Sequence, residues 1–67
     1  MYNYDVDIHF KGWGWDTYIV KAECIDNARY IAVKRVIDET GIKNAENIDC
    51  VRVYKCGTDK MLKEYDI

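Results

Sequence analysis

A strict alternation near the start of the chain constrains the fold most. Residues 2–10 read YNYDVDIHF, with an apolar or aromatic side chain at every second position. Because successive side chains of a strand point to opposite faces, this period predicts a strand with one face in a core. The predicted inward side chains are Tyr2, Tyr4, Val6, Ile8 and Phe10. The predicted outward side chains are Asn3, Asp5, Asp7 and His9.

The next residues, KGWGWD at 11–16, interrupt this alternation and contain both tryptophans of the chain. Gly12 and Gly14 can adopt positive φ, which suits the loop of a hairpin. Residues 15–23 then predict a second strand. Burial of Lys21 and Glu23 would be costly, so the face carrying Tyr18, Val20 and Ala22 is predicted to point inward. Trp15 and Ile19 then point outward, unless a bulge changes the register.

Residues 25–40 predict a helix, since good helix formers dominate and proline is absent. Gly41 follows at the position of a C-terminal cap. At 100° per residue, one stripe faces the sheet and consists of Ile25, Ala28, Ala32 and Val36.

The remainder of the chain predicts a second pair of strands. Residues 43–47 are a polar connection and residues 48–56 a strand with Val51 and Val53 inward. Residues 57–59 form a turn. Residues 61–67 predict the last strand, with Met61, Tyr65 and Ile67 on one side.

The predicted order is therefore ββαββ in a single domain spanning residues 1–67. Its expected packing is an α+β fold, a four-stranded sheet with one helix packed on one face. A right-handed crossover from the second strand to the third can leave the first strand between them. One helix covers one face only, so the other face of the sheet is predicted to be open.

Size and charge limit the function. A chain of 67 residues buries only about 60% of its unfolded surface. Its 12 acidic and 10 basic residues give a net charge of −2, which disfavours nucleic acid as the main ligand. The sequence has no apolar run long enough for a membrane span and begins without a signal-like segment. We therefore expect a cytoplasmic protein with no membrane partner, whose three cysteines are reduced.

No pattern of reactive residues predicts an enzyme. The one histidine lies in the polar phase of a strand, and no third group that would orient a Cys-His pair is implied. The cysteines lack the close spacing of a zinc site, so no metal or other cofactor is expected. Asp5 and Asp7 are spaced like paired carboxylates, but two aspartates on an open strand are usually solvated.

The open face is the predicted site, as a surface for a protein partner. Aromatic anchors and charged groups dominate binding hot spots, and this face combines both. Trp13, at the hairpin tip, can fold towards either face. The candidate partner-binding residues are Asp5, Asp7, Trp13, Trp15, Ile19 and Tyr54.

The stretch Val20–Ala28, VKAECIDNA, followed by Arg29–Ala32, RYIA, resembles a strand-cap-helix pattern of small proteins of phages and mobile elements. The whole ββαββ order is similar to theirs, and its topology is also similar to that of a small, strongly basic archaeal ribosomal protein. Short acidic proteins of phage origin include anti-CRISPR inhibitors. The resemblance implies an inhibitor in the host cytoplasm that blocks a nucleic-acid-handling complex, through acidic groups that mimic phosphate towards a basic surface. These inhibitors share no common motif, so the resemblance assigns no residue roles.

Two alternatives remain open. The chain could be a small RNA- or ribosome-associated module whose phosphate contacts come from Lys11, Lys21, Arg29, Lys34, Arg35 and Arg52. A second copy could also cover the open sheet face and form a homodimer.

Overall fold

Four strands and two helices make up the chain in a computed structural model, which describes residues 1–66. The strands are β1 Tyr2–Phe10, β2 Gly14–Ala22, β3 Ile48–Lys55 and β4 Met61–Asp66. The helices are α1 Ile25–Thr40 and α2 Ile42–Ala45. The strands form one antiparallel sheet in the order β2-β1-β3-β4, with α1 as the main helix. The predicted α+β, ββαββ fold is confirmed. β1 lies between β2 and β3, which is one of the orders that the sequence left open.

The first hairpin turns over three residues. Its strands close at the pair Phe10 and Gly14, and the Trp13 N–H donates to the Phe10 carbonyl at 3.1 Å. Gly12 has φ of 74°, a conformation that a side chain disfavours. The turn therefore uses the glycine freedom expected from KGWGWD.

The core lies between α1 and one sheet face. It contains the predicted inward residues Tyr4, Val6, Ile8, Phe10, Tyr18, Val20, Ala22, Val51 and Val53, together with Ala28, Ala32 and Val36 of the helix stripe. Ile25, the first residue of that stripe, is partly buried against the core. Tyr2, predicted inward, is 66% exposed. β3 pairs with β1 only from Tyr4 onwards, so Tyr2 has a neighbouring strand on one side only.

A bulge in β3 reverses one prediction. Strict alternation puts Ile48 on the same face as Arg52, but Ile48 is buried at 4% exposure. The register shifts between His9, which pairs with Cys50, and Phe10, which pairs with Ile48. Asp49 is the extra residue, and it lets Ile48 enter the core.

A second bulge separates the residues predicted to share a side of β4. Tyr54 pairs with Met61 and Val53 with Lys63, which leaves Leu62 as the extra residue. Tyr65 consequently packs against the core, whereas Met61 lies opposite Tyr54 and is exposed. Ile67, predicted on the same side, lies outside the described residues.

The segment after α1 also differs from the prediction. The Gly41 N–H caps α1 by donating to the Ile37 carbonyl at 2.9 Å, with φ of 95°. The polar connection predicted at 43–47 is largely taken up by α2, a single helical turn. No helix in the described part of the chain is long and apolar enough to cross a membrane.

Candidate protein-binding surface

The face of the sheet away from α1 is here called the open face. Antiparallel pairing arranges its side chains in three rows that cross the sheet, because directly opposed residues point to the same side. The rows are Ile19, Asp5, Tyr54 and Met61; Thr17, Asp7, Arg52 and Glu64; and Trp15, His9, Cys50 and Asp66. The register thus brings together five of the six candidate residues, Trp13 being the exception.

An acidic cleft of about 380 Å³ opens on this face. It is lined by Asp5, Asp7, Thr17, Tyr54, Thr58 and Asp59. Thr17 and Tyr54 flank the two β1 aspartates, and the turn between β3 and β4 supplies the other two residues. Sequence reasoning missed Thr58 and Asp59. Their turn was predicted, but its approach to β1 follows only from the strand order.

Hydrogen bonds hold the two β1 carboxylates in the acidic cleft differently. The Thr17 hydroxyl donates to Asp7 Oδ1 at 2.8 Å. The Gly57 N–H donates to Asp5 Oδ2 at 3.4 Å, and Asp5 Oδ1 is buried with no hydrogen-bond partner. A buried acceptor without a partner carries a desolvation cost, so Asp5 is the less well satisfied of the two carboxylates.

Trp15 is held next to the acidic cleft by two side chains of its own chain. Its ring centroid lies 4.9 Å from that of His9, and the guanidinium carbon of Arg52 lies 4.6 Å from it. Arg52 Nε also donates to Glu64 Oε1 at 2.7 Å. Trp15 keeps 46% exposure, so its position is defined while nearly half of its surface is open to solvent.

Trp13 lies apart from the other candidates. Its ring packs edge-on against Phe10, a core residue, with the centroids 5.5 Å apart. Together with Tyr18 and Thr40 it lines a separate gap of about 210 Å³ near the end of α1. Trp13 is 70% exposed, so it covers the core edge only in part and does not belong to the open face.

The histidine of the open face has an orienting partner that the sequence did not imply. The bulge brings Asp49 Oδ1 to 2.6 Å from His9 Nδ1. Cys50, which pairs with His9, instead directs its thiol to Glu64 Oε1 at 3.6 Å. Burial and the Glu64 carboxylate raise the pKa of the Cys50 thiol. A raised pKa disfavours the thiolate that a nucleophilic cysteine needs.

The Cys56 thiol, near the acidic cleft, has a similar environment. Hydrogen bonding to Asp5, burial and the Asp5 charge raise its pKa. The pKa of neither thiol is therefore lowered, as the pKa of an activated cysteine is.

One group of potential metal ligands within residues 1–66 is drawn from the second and third rows, near β4. One ligand atom from each of Cys50, Glu64 and Asp66 lies within 4.8 Å of the others. Glu64 is bound by Arg52, and the hydrogen bond from this guanidinium is the largest cause of the lowered pKa of Glu64. Arg52 therefore already balances the charge of Glu64, which weakens the attraction of this group for a cation.

The basic residues of the RNA-binding alternative are dispersed. Arg29 lies on the helix side, with its guanidinium carbon 4.6 Å from the Tyr65 ring centroid. Arg35 donates to the Ile19 carbonyl at 3.0 Å, and Arg52 is bound to Glu64. These cations are engaged by different parts of the protein and do not form one phosphate-binding stripe.

No family model, curated protein or solved structure matches the chain.

Proposed function

We propose that the chain is a non-enzymatic protein-binding module that docks its open face onto a basic surface of a nucleic-acid-handling host complex. It would act in the cytoplasm of a host cell as an inhibitor of the phage-encoded, anti-CRISPR-like kind. The observation that carries this proposal is the acidic cleft beside a positioned, half-exposed Trp15.

The acidic cleft fits a cationic side chain. Asp5, Asp7 and Asp59 contribute three carboxylates to it, and no lysine or arginine of residues 1–66 lines it. An arginine or lysine of a partner supplies donors in charge-assisted hydrogen bonds, which are roughly twice as strong as neutral ones. Proteins that grip a phosphate backbone present these cations on their binding surfaces.

Apolar anchors surround the acidic cleft. Ile19 and Tyr54 lie on either side of Asp5 in one row, and Trp15 lies two residues along β2 from Thr17. Large aromatic side chains that become buried at an interface contribute most to affinity. A partner cation in the cleft, ringed by these contacts, would be shielded from solvent.

The thiol chemistry supports a binding role over an enzymatic one. The raised pKa values of Cys50 and Cys56 keep both thiols protonated at neutral pH, so neither is a prepared nucleophile.

The test compares two variants with the same change in charge. Tagged wild-type protein, Asp5→Asn/Asp7→Asn and Asp38→Asn/Glu46→Gln are used as baits in host lysate, followed by quantitative mass spectrometry. Asp38 lies on α1 and Glu46 directly follows α2, and neither side chain makes a hydrogen bond or ion pair within residues 1–66. This pair, the helix control, therefore controls for charge alone.

We expect basic nucleic-acid-binding proteins to bind the wild type and the helix control and to be lost from the cleft variant. Equal recovery on all three baits would contradict the proposal. Salt-dependent binding of purified protein to single-stranded RNA, with no protein partner, would instead support the RNA-binding alternative.

A further inference from the structure

β2 forms one edge of the sheet, and its outer backbone groups belong to alternate residues. Arg35 Nη1 reaches the Ile19 carbonyl at 3.0 Å from outside the sheet, so the Ile19 backbone points away from β1. Because a strand repeats every two residues, the same orientation holds for Trp15, Thr17 and Lys21. Among residues 1–66, Arg35 is the side chain that forms a hydrogen bond with one of these outward backbone groups.

The opposite edge carries the features that prevent strand pairing. β4 has six residues and is interrupted by the bulge at Leu62. Glu64 and Asp66 give it two negative charges on alternate residues. Short, bulged and charged edges resist association with another strand.

β2 is neither short nor bulged, although it contains the charged residues Asp16 and Lys21. It is nine residues long, keeps an unbroken register with β1, and contains no proline. Of the four residues with outward backbone groups, Lys21 alone is charged. A long, regular and weakly charged edge is competent to pair with another strand.

We propose that β2 pairs antiparallel with β2 of a second copy about a two-fold axis at Tyr18, giving a continuous eight-stranded sheet. This dimer is independent of the function proposed above and differs from a face-to-face dimer, since the open face stays free. The axis lies at the middle residue of β2, so the whole strand takes part. Four outward pairs with two bonds each would give about eight backbone hydrogen bonds.

The sequence of β2 is complementary to itself in this register. Lys21 lies opposite Trp15 of the other copy, where its aliphatic stem can pack beside the ring that Arg52 already contacts, and Thr17 lies opposite Ile19. With the axis at Ile19 instead, Trp15 lies opposite Glu23 and Gly14 lies opposite Cys24. Both partners lie beyond the end of β2, so the two strands pair over fewer residues. The axis at Tyr18 therefore combines the longest pairing with the better side-chain contacts.

Arg35 competes with this pairing. In the dimer the Ile19 carbonyl accepts from the Thr17 N–H of the second copy, so the Arg35 guanidinium must leave it. The guanidinium carbon of Arg35 also lies 5.4 Å from the ring centroid of Tyr18, and its Nε lies 3.9 Å from Glu39 Oε2. These contacts can retain the Arg35 side chain on the helix. Removal of Arg35 should consequently strengthen the dimer.

Sedimentation velocity over about 10 µM to 1 mM tests the proposal, because a single strand seam is a small interface that forms weakly. The weight-average mass of the wild type should rise towards twice the 7.9 kDa of one chain. Ile19→Pro removes one outward N–H and should be monomeric, whereas the control Ile19→Thr keeps this group and should dimerise. Arg35→Ala should shift the midpoint to a several-fold lower concentration.

A wild type that stays monomeric throughout this range overturns the proposal, as does a folded Ile19→Pro that dimerises like Ile19→Thr. If circular dichroism shows Ile19→Pro to be unfolded, cysteine cross-linking decides. In a background with Cys24, Cys50 and Cys56 changed to Ser, Thr17→Cys mixed with Ile19→Cys should cross-link much faster than either alone, since opposed residues are about 5.5 Å apart at Cα. Equal rates overturn the proposal.

Discussion

Arg52 lies against the ring of Trp15, with its guanidinium carbon 4.6 Å from the ring centroid. The two residues lie on β2 and β3, with β1 between them, so the contact crosses the middle of the sheet. Arg52 is itself held by Glu64 of β4 at 2.7 Å. Trp15 is therefore prepositioned, which lowers the entropy that a partner must overcome on binding.

Removing this contact should loosen Trp15 without unfolding the protein. In a Trp13→Phe background, Arg52→Ala should increase acrylamide quenching of Trp15 fluorescence, because one flank of the ring becomes open. Lys34→Ala, an exposed change on α1, is the control and should leave quenching unchanged. Identical quenching in both variants would mean that Arg52 does not shield the ring in solution.

The same substitution at two isoleucines should lower the free energy of unfolding by different amounts in the core and on the open face. Ile8 is fully buried, so Ile8→Val should lower the free energy of unfolding by about 1 kcal/mol. Ile19 is 64% exposed, so the same change there should cost at most about 0.5 kcal/mol. Urea unfolding followed by circular dichroism measures both, and equal losses would contradict the assignment of the two faces.

Gly41 should be sensitive to any side chain. Its φ of 95° disfavours side chains, while an added Cβ would meet no atom within 4 Å. Gly41→Ala should therefore destabilise the protein by about 1–3 kcal/mol through backbone strain alone. Gly41→Asn should cost a similar amount, because a φ of 95° with a ψ of 159° lies outside the left-handed helical region that asparagine tolerates. Urea unfolding measures the difference. Full stability of Gly41→Ala would show that the end of α1 tolerates another conformation.

Lowering the pH should weaken the contacts by which Asp26 of α1 is joined to Tyr65 and Lys63 of β4. Tyr65 donates a hydrogen bond to Asp26, and Lys63 lies 3.4 Å from the same carboxylate. The Tyr65 and Lys63 contacts lower the pKa of Asp26 below its usual 3.8. A lowered pKa stabilises the fold above pH 3.8, and this contribution is lost as pH falls through the lower folded value.

Asp26→Asn should consequently flatten the acid side of the stability curve, which is measured by urea unfolding from neutral pH down to about pH 2, below the usual carboxyl pKa values. Asp38→Asn, on the same helix, should leave the curve unchanged. Superimposable curves for the wild type and Asp26→Asn would contradict the role given to these contacts.

The regular part of the fold follows from local patterns. The alternation in β1 and the 16-residue span of α1 were predicted from sequence, because one side-chain period dominates each segment. Strict alternation put Ile48 on the face of Arg52 and Met61 on the side of Tyr65. Both predictions were wrong, since each residue lies next to a bulge. A bulge is set by the register of two paired strands, and this information is absent from either strand alone.

The candidate site was predictable to a similar degree. Strand parity assigned Asp5, Asp7, Trp15, Ile19 and Tyr54 to one face, and the structure confirms this common face. The alternation of a strand does not apply to a turn, so the sequence could not assign Trp13 to either face of the sheet. In the structure its ring contacts Phe10, on the core side. Asp59 and Asp49 reach the open face through a turn and a bulge, neither of which has a sequence period.

The two tryptophans provide the most direct test of the central claim, that a partner docks on the open face. The measurement is isothermal titration of the partner captured by the wild type with Trp15→Ala and, as the matched control, Trp13→Ala. We predict that Trp15→Ala weakens binding by about 2 kcal/mol or more, roughly 30-fold, as expected for a buried anchor. Trp13→Ala should stay within about threefold of the wild type, since Trp13 lies off this face. Unchanged affinity in Trp15→Ala, or an equal loss in both variants, would contradict the claim.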